Sequence, residues 1–67
     1  MNSEYFMKCR LAKGYSQYRL ARVLNVHDST VFSWERLGKY PRGEMIITLC
    51  KLLDMDANIL LGLKGEE

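Results

Sequence analysis

A very short link between two helical patterns restricts the fold more than any other feature of this sequence. The first pattern follows Ser16, a good helix cap, and the second begins around His27 or Asp28. Residues 24–27 leave room only for a tight turn, in which Asn25 suits the left-handed conformation that ends a helix. A turn this tight sets the two helices at a large angle and exposes the outer face of the second.

Helical periodicity also continues before and after this pair. Helix 1 is expected to start at Ser3 and Glu4 and to close at Gly14, because glycine readily adopts the left-handed conformation there. Helix 4 is expected from about Gly43. Its apolar residues follow the i, i+3, i+4, i+7 rule, and they are Ile46, Leu49, Cys50 and Leu53.

The C-terminal part predicts one more short helix. Asp56 is expected to cap helix 5, which runs through Leu61 and ends at Gly62. No strand alternation, linker or internal repeat interrupts these patterns. The prediction is an all-α, compact five-helix domain over residues 1–63, followed by a loose tail at residues 64–67.

Length and composition exclude several classes of protein. A chain of 67 residues forms one small domain, which buries only about 60% of its unfolded surface. The longest apolar run, residues 45–50, is far short of the roughly 20 residues of a membrane-spanning helix. The first residues lack the basic and apolar stretches of a secretory signal, so we expect a cytoplasmic location and reduced thiols at Cys9 and Cys50.

The sequence also lacks the motifs of an enzyme. The single histidine, His27, has no cysteine or carboxylate cluster around it at metal-ligand spacing. There is no glycine-rich phosphate-binding motif and no nucleophile motif, and so small a chain offers little concavity for a substrate. We therefore expect no catalysis, no metal, no cofactor and no small-molecule substrate.

Charge is divided unevenly along the chain. Residues 1–42 carry eight Lys or Arg and three Asp or Glu, a net charge of +5, whereas residues 43–67 carry two and five, a net charge of −3. Such a division favours a basic face that binds nucleic acid and a C-terminal part that stays clear of it. Chance is the alternative explanation, because an excess of five charges is not rare in a segment of this length.

These patterns together resemble a known family. The tight link makes helices 2 and 3 a helix-turn-helix, and the chain is similar over nearly its whole length to the lambda-repressor-like, or Cro and xenobiotic-response-element, family of bacterial and phage regulators. The resemblance rests on Arg10, Gly14, Ser16, Gln17, Leu20, Ala21, Leu24, Val26, Ser29, Thr30, Val31, Trp34, Glu35, Gly38, Pro41, Leu53, Leu60, Leu61 and Gly62. It implies that helix 3 lies in the major groove of DNA and that the start of helix 2 rests on the phosphate backbone.

The resemblance assigns the outward positions of helix 3 to base reading. The candidate base-contacting residues are His27, Asp28, Ser29, Phe32 and Ser33. His27 stands where relatives usually carry a Ser or Thr cap, so Asp28 is expected to take over the capping, with cytosine reading as its alternative. Phe32 either touches a thymine methyl group or shields the helix, and serine hydroxyls are undemanding readers.

A second set of residues is expected to contact phosphate. These candidates are Gln17, Arg19, Thr30, Lys39 and Arg42. Gln17 matches the glutamine that opens helix 2 in relatives, and solvent exposure is its alternative, as it is for Arg19. Thr30 has a capping or turn bond as its alternative. Leu37 lengthens the family's common Trp-Glu-x-Gly by one residue, which leaves the course of the loop before Arg42 open.

The resemblance further implies a structural ion pair and a dimer. Arg10 is expected to pair with Glu35 and so to tie helix 3 to helix 1, while Val31 and Trp34 pack in the core. Helix 5 holds more apolar residues than a short helix buries. The expected dimer interface consists of Ile59, Leu60 and Leu63.

The predicted function is therefore a DNA-binding transcriptional regulator. We expect a homodimeric repressor of phage, mobile-element or restriction-controller type that binds double-stranded DNA at a palindromic operator. No attached sensing domain is expected. The alternative is an antitoxin or adaptor that uses the same fold mainly to bind another protein.

Overall fold

The computed structural model describes residues 1–65 and shows an all-helical fold there. Five helices follow one another without a strand in the described part of the chain: α1 (Ser3–Ala12), α2 (Gln17–Leu24), α3 (Asp28–Arg36), α4 (Gly43–Leu53) and α5 (Ala57–Leu60). The predicted fold class is thereby confirmed. The predicted tail includes residues 66 and 67, which lie outside the described residues.

The predicted left-handed residues close the helices. Asn25 has φ 59° and ψ 45°. The Val26 N–H donates to the Ala21 carbonyl, and the Asn25 N–H donates to the Arg22 carbonyl. These are the two hydrogen bonds of a Schellman motif. This closure turns the chain from α2 into α3 within a few residues. Gly14 closes α1 with φ 80°, also as predicted.

Helix α1 begins at Ser3 as expected, but the residue that caps it is Asn2. Asn2 is the N-cap, and its side-chain oxygen accepts from the Tyr5 N–H at 3.1 Å. Ser3 instead lies in the first turn, and its hydroxyl donates to the Trp34 carbonyl at 3.0 Å. This serine therefore joins α1 to α3.

The core is formed by apolar residues of all five helices. Its buried members are Tyr5, Phe6, Leu20, Ala21, Val31, Trp34, Leu49, Leu53, Met55 and Leu60. The rings of Phe6 and Trp34 meet edge to face, with centroids 6.1 Å apart and planes at 83°. Helices α1 and α3 are thus packed together around two aromatic side chains.

Helix α5 is tied to the start of α1. The Asn2 N–H donates to the Leu60 carbonyl at 2.7 Å, and the Asp56 N–H donates to the Tyr5 hydroxyl at 2.9 Å. Asp56 caps α5 as predicted, by accepting from the Asn58 N–H. A hydrogen bond from Lys64, and then the bond from Asn58, lower the pKa of Asp56. These contacts hold a one-turn helix against the rest of the domain.

Leu60 corrects the prediction for helix 5. Its side chain is 0% exposed, so it belongs to the core of this chain and is not accessible to a second copy. The apolar density of helix 5 suggested an external partner. In the structure Leu60 lies in the shared core, where α5 contacts both α1 and α4.

Candidate nucleic-acid interface

Helix α3 is divided lengthwise into a buried and an exposed face. Val31 and Trp34 are buried against α1 and α2, as their spacing predicted. The predicted readers His27, Asp28 and Ser29 are exposed, Phe32 is 45% exposed and Ser33 is half-buried. The structure brings these five side chains to one end and one side of α3.

The cap of α3 is His27, which corrects the expectation for Asp28. His27 Nδ1 accepts from the Ser29 N–H at 3.1 Å. Asp28 is the first residue of α3, and its side chain makes no capping bond among the described contacts. The carboxylate still lies in the first turn, where the helix dipole favours it.

Two serines extend this hydrogen-bond network. Ser29 Oγ lies 2.9 Å from His27 Nδ1, and the Ser33 hydroxyl donates to the Ser29 carbonyl at 2.8 Å. The hydroxyls of both predicted readers are therefore already engaged within α3. These bonds depend on side-chain rotamers, so they could not be predicted from the sequence.

A buried ion pair fixes α3 to the scaffold. Arg10 Nε and Nη2 donate to the two carboxylate oxygens of Glu35, at 2.5 and 3.1 Å. The side chains of Arg10 and Glu35 are only 7% and 2% exposed. Arg10 Nη1 also donates to the Tyr15 carbonyl at 2.7 Å, so one guanidinium joins α1, the turn before α2, and α3.

Gln17 belongs to the same cluster. Its side-chain amide donates to Glu35 Oε1 at 3.0 Å. The family resemblance predicts that this amide binds a phosphate and so helps to hold the reading helix in position. The structure shows a direct contact with α3 instead, which uses one amide proton and leaves the second for another acceptor.

The remaining phosphate candidates lie near the start of α2 and in the loop after α3. Arg19 is exposed in the first turn of α2, where Ser16 Oγ accepts from its backbone N–H at 3.0 Å. Lys39 is exposed in the loop, and Arg42 is exposed at the N-cap of α4. Thr30 and Arg42 line the same open groove of about 370 Å³.

The loop around the additional residue Leu37 has a defined course. Helix α3 ends at Arg36, Gly38 has φ 69°, and the N–H groups of Leu37 and Lys39 both donate to the Ser33 carbonyl. The additional residue thus lengthens the closing turn of α3. Pro41 is buried beyond it, which anchors the loop before α4.

One surface contact, between Arg22 and Tyr18, is not among the predictions made from the sequence. The Arg22 guanidinium lies over the Tyr18 ring on α2, 5.8 Å from its centroid, and Tyr18 is exposed. The i, i+4 spacing of an aromatic and a basic residue was the available signal.

The three predicted interface residues do not share one environment. Ile59 is half-buried, Leu60 lies in the core and Leu63 is 74% exposed. Only Ile59 and Leu63 have surface to offer a partner.

Further findings concern metal ligands, membrane spans and thiols. Among residues 1–65 there is no group of three or more His, Cys, Asp or Glu side chains that could hold a metal ion. Within the same residues no helix has the length and apolar character needed to cross a membrane. Cys9 and Cys50 are free thiols.

Comparison with known proteins gave one match. A family model described as helix-turn-helix matches residues 6–60, which include all of α2, α3, α4 and α5. No curated protein and no solved structure matched the chain.

Proposed function

The chain belongs to the lambda-repressor-like helix-turn-helix family, and from this premise we propose that it is a sequence-specific regulator of transcription that reads double-stranded DNA with α3. The family match supports DNA binding and transcriptional regulation in general. We further propose a dimeric repressor of phage, mobile-element or restriction-controller type, which acts on a palindromic operator in the cytoplasm. Residues 1–63 would form its DNA-binding unit.

The observation that carries this proposal is the way α3 is held. Glu35 is bound by Arg10 and Gln17, so α3 is fixed to α1 and α2 through its buried side. The opposite side presents the candidate readers to solvent. A rigid helix with an exposed polar face is the arrangement that direct reading of the major groove requires.

Exposed basic residues come before and after this helix in the chain. In the proposed complex, Arg19, Lys39 and Arg42 bind phosphates, and Thr30 donates from the groove that it shares with Arg42. The second amide proton of Gln17 is available to a phosphate at the start of α2. The net charge of +5 in residues 1–42 favours this binding, whereas the acidic C-terminal part is kept away from DNA.

The proposed dimer uses the exposed part of the predicted interface. Leu63 is highly exposed and Ile59 is partly exposed, so a second copy that covers them would remove apolar surface from water. Two-fold pairing would present two reading helices about 34–36 Å apart, one turn of DNA. A palindromic operator follows from that symmetry.

Selection from a randomised DNA duplex tests the regulator. We expect enrichment of one inverted repeat, with half-site centres about 10 base pairs apart. Binding to random duplex should weaken as salt rises, since phosphate contacts release counterions. A chain that enriches no sequence and shows no salt dependence would instead favour the antitoxin or adaptor function.

A charge at the C-terminal surface tests the dimer. Leu63→Glu should shift the protein to monomer in sedimentation at several concentrations and weaken operator binding. Leu11→Glu is the matched control, because Leu11 is 58% exposed on α1, outside the proposed interface. If wild type and Leu63→Glu are both monomeric, the proposed dimer is wrong.

A further inference from the structure

The hydrogen bond that caps α3 determines which ring nitrogen of His27 carries the proton. His27 is one of the candidate base-contacting residues. A backbone N–H can only donate, so the 3.1 Å bond from Ser29 N requires His27 Nδ1 to be an acceptor. In a neutral imidazole the proton must then be on Nε2. His27 is exposed, and the nitrogen that remains free for another molecule is therefore a donor.

The same reasoning applies to the two serines. Ser29 Oγ lies 2.9 Å from His27 Nδ1, and because Nδ1 carries no proton, the hydroxyl is the donor and shares the single Nδ1 lone pair with the Ser29 backbone N–H. The Ser33 hydroxyl donates to the Ser29 carbonyl at 2.8 Å. A hydroxyl has one proton, so each serine has only lone pairs left.

We propose that this network sets the specificity of the reading helix, with His27 as a hydrogen-bond donor and Ser29 and Ser33 as acceptors. The proposal rests on the proposed function and specifies its chemistry. In the major groove a donor reads guanine N7 or O6, adenine N7 or thymine O4. An acceptor reads the amino group of adenine or cytosine, which guanine and thymine do not present there.

The consequence is that the serines discriminate between bases. An unengaged serine hydroxyl contacts any base, because it rotates to donate or to accept. Ser29 and Ser33 lose that freedom when their protons are engaged within α3. The bases facing them are adenine or cytosine, and the base facing His27 supplies an acceptor.

Nitrogen NMR of the histidine ring measures the proton position directly. The chain has a single histidine, so its ring signals are unambiguous. At alkaline pH, where imidazole is neutral, we expect the proton on Nε2 and none on Nδ1. A ring protonated on Nδ1 would overturn the proposal before any DNA is added.

Two substitutions at His27 separate the cap from the reader. His27→Asn keeps a capping oxygen but has no group that reaches as far as Nε2, so it should keep its melting temperature and lose about tenfold in preference at one base. His27→Gln places an amide donor farther out and caps poorly, so it should lower the melting temperature and retain that preference. The reverse pattern would overturn the assignment.

Ser33→Ala tests the acceptors by selection from the same randomised duplex. It should lose about tenfold in preference at one position where wild type selects adenine or cytosine. Thr48→Ala is the matched control, because the Thr48 hydroxyl makes the equivalent bond to the Glu44 carbonyl on α4. A loss at a guanine or thymine position, or no loss at all, would overturn the acceptor role.

The outcomes distinguish this proposal from the proposed function. If wild type enriches no sequence, both are wrong, whatever the position of the proton on His27. If wild type enriches an operator and neither His27→Asn nor Ser33→Ala alters the preference, only the reading network is wrong.

Discussion

Replacing Glu35 by leucine is expected to destabilise the domain severely. The substitution places an apolar side chain of broadly similar size there but removes the acceptor of three N–H groups, two from Arg10 and one from Gln17. The guanidinium of Arg10 is 7% exposed, so it would be left as a buried charge without a counter-ion. The loss thus arises from the charge that remains and not from the apolar residue that is added.

The expected magnitude is large for a chain of this size. Breaking a buried ion pair by removing one partner costs about 3–5 kcal/mol. At roughly 0.05–0.15 kcal/mol per residue, a domain of 67 residues has a free energy of unfolding of about 3–10 kcal/mol. Glu35→Leu therefore removes at least about 30% of the stability, and at the lower end of the stability range the variant is partly unfolded at 25 °C.

Urea denaturation of four proteins measures the effect as a double-mutant cycle. Wild type, Arg10→Met, Glu35→Leu and the double variant are compared. With a slope of about 1 kcal/mol per molar urea, Glu35→Leu should lower the midpoint by about 3 M or more. The double variant removes both charges, so it should lose less stability than Glu35→Leu alone, even though the Tyr15 carbonyl loses its donor.

Two results would refute this reasoning. A loss below about 1 kcal/mol in Glu35→Leu would mean that the pair is solvated, as exposed ion pairs are. A double variant that loses the sum of the two single losses would mean that Arg10 and Glu35 act independently. DNA binding by a folded double variant should still be weaker, because α3 has lost its anchor.

Four further substitutions test other parts of the molecule. Arg42→Ala should weaken binding to all duplexes alike and reduce the salt slope by about one, and an unchanged slope would remove Arg42 from the interface. Asp28→Asn should tighten binding to random duplex and abolish a cytosine preference at one operator position, whereas uniform tightening with preferences intact would exclude Asp28 as a reader. Cys50 packs against the core as a free thiol, and burial raises its pKa, so it acts as a small apolar residue and Cys50→Ala should leave DNA binding intact; loss of wild-type binding on mild reduction would contradict a free thiol. Asp54→Asn should raise the free energy of unfolding by about 0.3–1 kcal/mol, because it removes a negative charge from the C-terminal end of α4. Asparagine also tolerates the left-handed conformation of this residue, at φ 56°. A lower melting temperature would contradict this prediction.

Local rules predicted the helices and their ends well. Asn25 adopts the left-handed conformation because α2 ends at the residue before it and α3 begins only three residues later, so the link must turn sharply. Gly14 and Asp56 likewise close and begin helices as their residue types favour. Such signals depend on a few adjacent residues, so they are visible in the sequence.

The predictions were wrong where the structure depends on residues that are distant in sequence or on side-chain rotamers. Leu60 was expected at a dimer interface, because its burial depends on the chain start, which is far away in sequence. Tyr5 was overlooked for the same reason, since its hydroxyl bonds to Asp56 across 51 positions. His27 was judged a poor cap by residue type, yet its ring nitrogen reaches the Ser29 N–H that a shorter cap would bind.

The division of α3 also sets how readily such a domain changes its target during evolution. Ser29, Phe32 and Ser33 do not belong to the buried core, so if α3 reads DNA as proposed, exchanges there would change the target without repacking Val31 or Trp34. His27 differs, because its ring both caps the helix and is exposed to solvent. A new residue at position 27 must satisfy both demands at once, so divergence among descendants of this chain is expected to be slow at position 27 and fast along the serine side.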